Sequence, residues 1–158
     1  MMKWLWLSLV VIVLDQATKF LASGMLILHQ PVAVLPFFNL TLMHNTGAAF
    51  SFLHDASGWQ RWFFAVLALI VSVMLVLWLR RLQPQERWLA TALTLVLGGA
   101  LGNLVDRLMY GYVVDFIQLY YQDWYYPAFN VADSAITVGA VMLVIDTFKG
   151  KEKHRRTL

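Results

Sequence analysis

Asp115 and Asp133 are carboxylates in a chain that is 60% hydrophobic and only 13% charged. Ionisable groups at a membrane site are expensive and are kept for a function or beside a partner. Two carboxylates within reach of one another are the minimum equipment for aspartic hydrolysis. The ionised one takes a proton from water, and the protonated one gives a proton to the carbonyl oxygen or the leaving amine. Unlike surroundings separate such a pair into acid and base, and the pair titrates as a unit.

Other polar residues lie in apolar surroundings. Asn130 stands three residues before Asp133, the spacing of a helix N-cap followed by a first-turn carboxylate. Asp115 has no comparable partner in the sequence. Asn103, Asp106 and Arg107 are three and four residues apart, which places them on one helix face. Gly99 extends that stripe. A polar stripe on a membrane helix faces protein or water rather than lipid. The plainer alternative is an Asp106–Arg107 pair snorkelling at a helix end. Gly98 and Gly102 form a small-xxx-small pair that permits close helix packing. Asp15 lies four residues before Lys19. An intrahelical ion pair and a role in holding the site are both open to it.

Other chemistries fit less well. His29, His44 and His54 share one segment but lack the H-E-x-x-H arrangement of a zinc helix, and no metal or cofactor is called for. The absence of cysteine excludes disulfides, thiolate nucleophiles and cysteine metal sites. Ser134 adjoins Asp133, but no lysine is placed to activate it.

The elements that must position these residues are membrane spans. Mean hydropathy is +0.64 over 158 residues. Four apolar stretches, at 4–21, 59–79, 88–108 and 131–148, have the roughly 20 residues needed to cross a bilayer. At this length the chain is one integral membrane domain, 1–158. Span one imitates a signal peptide, but Asp15, Gln16 and Lys19 interrupt its apolar run.

Nine of the twelve Lys and Arg residues fall on one side: Lys3, Arg80, Arg81, Arg87, Lys149, Lys151, Lys153, Arg155 and Arg156. The positive-inside rule puts that side, with both termini, in the cytoplasm. Segments 22–58 and 109–130 then face outward. The basic tail is explained by topology and attraction to anionic lipid. No broad basic face with base-reading groups marks a nucleic-acid partner.

The first outer segment is long for a loop and apolar. Weak alternation over 39–43, with β-branched and aromatic residues, predicts two or more short strands at the membrane surface. Gly47 allows a tight turn. Residues 31–52 could cover a bound peptide. Aromatic rings crowd the second outer segment, from Tyr110 to Tyr126, and read as an interfacial belt.

Asp15-Gln-Ala-Thr-Lys19, Asn45-Thr-Gly-Ala-Ala-Phe50, Gly98-Gly-Ala-Leu-Gly-Asn-Leu-Val-Asp-Arg107, Val113-Val-Asp-Phe116 and Phe129-Asn-Val-Ala-Asp-Ser134 together resemble signal peptidase II, the bacterial lipoprotein signal peptidase. The resemblance covers all four spans and both outer segments in order. It implies a mostly α membrane protein, a four-helix bundle with a small antiparallel β cradle on the outer side of the bacterial inner membrane. It implies an intramembrane aspartic endopeptidase in which Asp115 and Asp133 match the catalytic aspartates. Asp15, Asn45, Asn103, Asp106, Arg107 and Asn130 match polar positions around them. The implied substrates are prolipoproteins whose lipobox cysteine carries a diacylglyceryl group, cut just before that cysteine. Membrane lipids are the other expected partners, and a monomer is expected.

Two non-enzymatic readings compete. In an ion or proton carrier, Asp15, Asp106, Asp115 and Asp133 would line a path. However, these acids gather toward one side, and span two holds none. An inert assembly subunit would not need paired acids.

Overall fold

The structure is a computed structural model that describes residues 1–47 and 58–155, with side chains through residue 148. After a 3₁₀ turn at Met2–Trp4, the chain forms α1 (Leu5–Met25), β1 (Val32–Leu35), β2 (Phe38–Asn45), α2 (Trp59–Arg81), α3 (Arg87–Met109), β3 (Val113–Tyr121), β4 (Trp124–Tyr125) and α4 (Val131–Arg155). All four helices are long and apolar enough to cross a membrane. The expected class, a helical bundle with a small antiparallel sheet, is the one observed.

The middle of the bundle is α3. It packs on α1, α2 and α4 and buries most of its apolar surface, whereas the other three turn most of theirs outward. Leu9, Val13, Val66, Ile70, Val73, Val138 and Val141 are exposed. That is how helices facing lipid rather than water are built.

Glycine allows α3 its close contacts. A Cβ on Gly98 would stand 2.7 Å from the Val11 Cβ on α1, and one on Gly99 would collide with the Ala132 carbonyl oxygen on α4. At the far end of the helix pair α2–α3, Leu75, Leu79, Leu89, Ala90, Leu93 and Leu97 form an apolar core.

The strands connect helices at one end of the bundle: β1 and β2 join α1 to α2, and β3 and β4 join α3 to α4. The opposite end carries Lys3, Arg80, Arg81 and Arg87. The sheet order is β1-β2-β3-β4, all antiparallel. Strands are found at 32–35 and 38–45 in the first outer segment, as expected. In the second outer segment nine residues form β3, and the rings of Tyr110, Tyr121, Trp124, Tyr125 and Tyr126 are exposed. Tyr120 stacks on Tyr125 across the β3–β4 pair at 5.6 Å. Residues 48–52, expected to help cover a peptide, and His54 lie outside the described residues.

Candidate active site

The site lies where the sheet meets the ends of α1, α3 and α4. Gly111, at φ +86°, makes the turn from α3 into β3. That left-handed backbone is open to glycine at little cost. Asp106 then accepts the Val114 backbone N–H at 3.0 Å. The start of β3 is thereby pinned to the helix before it.

Asp115 is 2% exposed on β3. It pairs with Met43 on β2, two residues before Asn45. Residues two apart on a strand share a face, so Asn45 lies on the side of Asp115. Its amide donates to Asp115 Oδ2 at 3.0 Å. The Asn45 Oδ1 accepts the Gly47 N–H at 3.1 Å, fixing the turn expected at Gly47. Asn130, wholly buried, donates to Asp115 Oδ1 at 2.8 Å.

Asn130 also caps the start of α4. Its Oδ1 accepts the Asp133 N–H at 2.8 Å, while its own N–H donates to Asp133 Oδ2 at 3.3 Å. This reciprocal cap is the arrangement the three-residue spacing predicted. One side chain thus holds the Asp115 carboxylate and the backbone of Asp133 together. Asp133 is half-buried, and its Oδ1 accepts from Asn103 Nδ2 on α3 at 2.8 Å.

Burial pushes the Asp115 carboxyl up to about 7, and the charge of Asp133 pushes it the same way. The amide donors Asn45 and Asn130, together with the Lys19 charge, work against that rise but do not cancel it. Asp115 is therefore a carboxyl poised to exchange a proton near neutrality.

A second polar cluster stands behind the first. Lys19, 3% exposed, pairs with Asp15 at 2.7 Å and with Asp106 at 2.9 Å. It also donates to Asn103 Oδ1 at 2.9 Å. Asp15 accepts the Ala132 N–H at 2.9 Å, in the first turn of α4. Gly102 leaves room for that carboxylate, since a Cβ there would stand 2.8 Å from Asp15 Oδ2. Gln16 donates to Asp106 Oδ1 at 2.8 Å and to the Gly102 carbonyl at 3.1 Å.

All eight residues singled out in the sequence belong to this connected region. The intrahelical Asp15–Lys19 pair is present. The alternative Asp106–Arg107 pair is not: Asp106 turns to Lys19, Gln16 and the β3 backbone. Arg107 reaches the carbonyls of Asn103 and Gly47, both at 3.4 Å, and lies over the Phe64 ring at 5.3 Å. Lys19 and Gln16 were not counted with the site on sequence grounds. The available signal was their polarity within an apolar span.

Ser134 donates to the Asn130 carbonyl at 2.9 Å, the local role of a first-turn serine. His44 stacks on Tyr112 at 4.0 Å, and His29 contacts the Met43 sulfur at 3.1 Å. Among the described residues, no group of three His, Asp or Glu side chains is placed to hold a metal.

A family model described as signal peptidase (SPase) II matches residues 7–149. The chain belongs to the signal peptidase II family. Relatives of this family include the lipoprotein signal peptidase of Pseudomonas fluorescens strain Pf0-1, 61% identical over 153 residues, which are 96% of this chain and 90% of the relative. The lipoprotein signal peptidase of Pseudomonas aeruginosa strain UCBPP-PA14 is 59% identical over 151 residues, covering 94% of this chain and 89% of its own length. A bacterial membrane enzyme solved by the in meso method at 2.3 Å superposes with a TM-score of 0.85 at 30% identity, covering 97% of this chain and 92% of the other. A second such structure, at 1.9 Å, gives 0.84 at 29% identity, covering 94% of each chain. Signal peptidase II proteins are proteases, so this chain is a hydrolase and a multi-pass membrane protein. The rival reading as an ion or proton carrier has no support in such a family.

Proposed function

We propose that this chain is an intramembrane aspartic endopeptidase that removes signal peptides from diacylglyceryl-modified prolipoproteins, cutting just before the lipidated cysteine. The observation that carries the aspartic mechanism is the Asn130 bridge. It joins Asp115 to the first turn of α4, where Asp133 stands. The curated relatives are named lipoprotein signal peptidases, which supports the substrate.

In this reading Asp133, half-exposed to the outer face, is the base, and the buried Asp115 holds the proton. Water gives a proton to Asp133 as its oxygen adds to the scissile carbonyl carbon. Asp115 gives its proton to the carbonyl oxygen. The C–N bond then breaks as the proton on Asp133 passes to the leaving amine, which is the new N-terminal cysteine, and one hydroxyl of the diol intermediate returns its proton to Asp115, leaving a carboxylic acid and the pair in its starting state. Asn45, Asn103 and Asn130 hold the pair, and Arg107 ties α3 to the Gly47 turn. Asp15 and Asp106 brace α4 and β3.

The whole chain acts as one membrane unit, working as a monomer. The sheet end faces outward from the bacterial inner membrane, because the basic residues gather at the other end, which by the positive-inside rule lies with both termini in the cytoplasm. The two acyl chains of the substrate and the surrounding lipids then share the bilayer, and water reaches the acids from outside.

The test is purified protein with a lipidated prolipoprotein in detergent, followed by gel and by sequencing of the new N-terminus. Cleavage immediately before the lipidated cysteine is expected. Asp115→Asn and Asp133→Asn should each abolish it in folded protein. Near-normal turnover in either variant would remove the aspartic assignment.

A further inference from the structure

Lys19 uses each of its three N–H groups on a buried acceptor: Asp15, Asp106 and the side-chain oxygen of Asn103. The two carboxylates do not depend on it alone. Asp15 also accepts from Ala132, and Asp106 accepts from Gln16 and Val114. The contact with Asn103 has a different consequence.

The Asn103 amide lies between two unlike neighbours. Its Oδ1 faces donors only, the Lys19 ammonium at 2.9 Å and the Asn130 amide at 3.1 Å. Its Nδ2 faces the Asp133 carboxylate at 2.8 Å. A side-chain amide turned by half a rotation exchanges oxygen and nitrogen. Turned that way, Asn103 would set N–H against an ammonium, which has no acceptor, and a carbonyl oxygen against a carboxylate. The cation makes that orientation costly, because charge-assisted hydrogen bonds are about twice as strong as neutral ones.

We propose that Lys19 is a positioning residue for the reaction: by holding the oxygen of Asn103 it turns the amide donor toward Asp133 and fixes that carboxylate opposite Asp115. This rests on the aspartic-pair reading above. Lys19 touches neither aspartate of the pair through a hydrogen bond. Its charge reaches Asp115 through space; its positioning effect passes through Asn103, from a different helix.

The experiment measures kcat and KM on a lipidated prolipoprotein for Lys19→Met, Lys19→Gln, Asn103→Ala and the double variant Lys19→Met/Asn103→Ala, with thermal unfolding of each. Lys19→Met should lower kcat about 100-fold, the scale of a misplaced reacting group, with KM nearly unchanged. Lys19→Gln, similar in size but still an N–H donor, should recover part of that loss. Compared at each variant's own pH optimum, which sets aside the direct effect of the Lys19 charge on Asp115, the double variant should be no slower than Asn103→Ala alone, because the positioning effect travels through that amide. Losses that multiply in the double variant, or a Lys19→Met loss that only follows the folded fraction, overturn the proposal.

If Lys19→Met does not fold, Lys19→Met/Asp106→Asn removes one charge of each sign from the cluster and should show the same split. Failure of both to fold assigns Lys19 to folding and overturns its positioning role. Asp133→Asn separates the two readings. Turnover in that variant would sink the aspartic pair itself, whereas an inactive Asp133→Asn beside an unimpaired Lys19→Met overturns the role of Lys19 alone.

Discussion

Asn130 donates its side-chain amide to Asp115 Oδ1 at 2.8 Å from a position with no solvent exposure. The bond joins the first residue before α4 to the middle of the sheet. It makes the geometry of the candidate pair depend on a helix cap.

Asn130→Ala should therefore fail in two measurable ways. Loss of the cap should lower stability by about 1 kcal/mol, read by thermal unfolding in detergent. Loss of the bridge should lower kcat by about 100-fold. Asn130→Ser keeps a capping oxygen but has no amide to reach Asp115. It should restore most of the stability and little of the rate.

The raised carboxyl of Asp115 predicts a pH dependence. If Asp115 supplies the proton, kcat should fall as pH climbs through about 7, where the folded carboxyl ionises. Stability follows the same group. Between its ordinary value of 3.8 and about 7, the folded chain holds a proton that the unfolded chain has released. Stability should therefore decrease as pH rises across that window. Asp115→Asn should flatten this part of the stability curve.

Asn45→Ala should move the alkaline limb of the rate profile to higher pH. The Asn45 amide donates to Asp115 Oδ2 and favours the ionised form. Without that donor the carboxyl keeps its proton longer. A limb that stays in place, or moves to lower pH, would contradict the role of Asn45 in setting Asp115.

Glycine substitutions should separate by position. Gly99→Ala sets a methyl against the Ala132 carbonyl oxygen, and Gly139→Ala sets one 2.7 Å from the Ala92 carbonyl oxygen. Backbone cannot move aside as a flexible side chain can, so each should cost about 1–3 kcal/mol. Gly24→Ala, with nothing within 4 Å of the new methyl, should be neutral or stabilising by up to about 1 kcal/mol.

An unlipidated peptide with the same lipobox should be a poor substrate. Acyl chains contribute about 0.8 kcal/mol per buried CH₂, and here that energy would hold the scissile bond at the level of the acids. The comparison is kcat/KM for lipidated and unlipidated forms at several detergent concentrations. Equal values would mean that the lipid has no part in recognition.

The sequence showed local features well and tertiary ones poorly. The spans were legible because each is a long apolar run, and Asn130 with Asp133 was legible because a cap is written in four residues. The strand β3 was not. Val113, Val114, Asp115 and Phe116 are all buried, so both faces of the strand are covered and the alternation that marks a strand is missing. Asp106 illustrates another limit. Its sequence neighbour Arg107 was the obvious partner, but a side chain three to four residues away, or on another helix, is often nearer than the next residue along a helix. Its ion pair is with Lys19 of α1. The donors to Asp115 come from β2 and from the start of α4, and no spacing rule connects those segments.

The Asp15–Lys19 contact bears on how the chain is made. During synthesis α1 emerges long before Asp106 and Asn103 exist to receive its charges. A lone acid or lone ammonium in that helix would be a heavy burden on entry into the bilayer. Four residues apart on one helix face, at 2.7 Å, the two can enter as a neutral couple. Lys19 then finds its remaining acceptors when α3 arrives, and Asp15 finds its backbone partner only with α4. The first helix thus waits for the last, and a partly made chain has no assembled site.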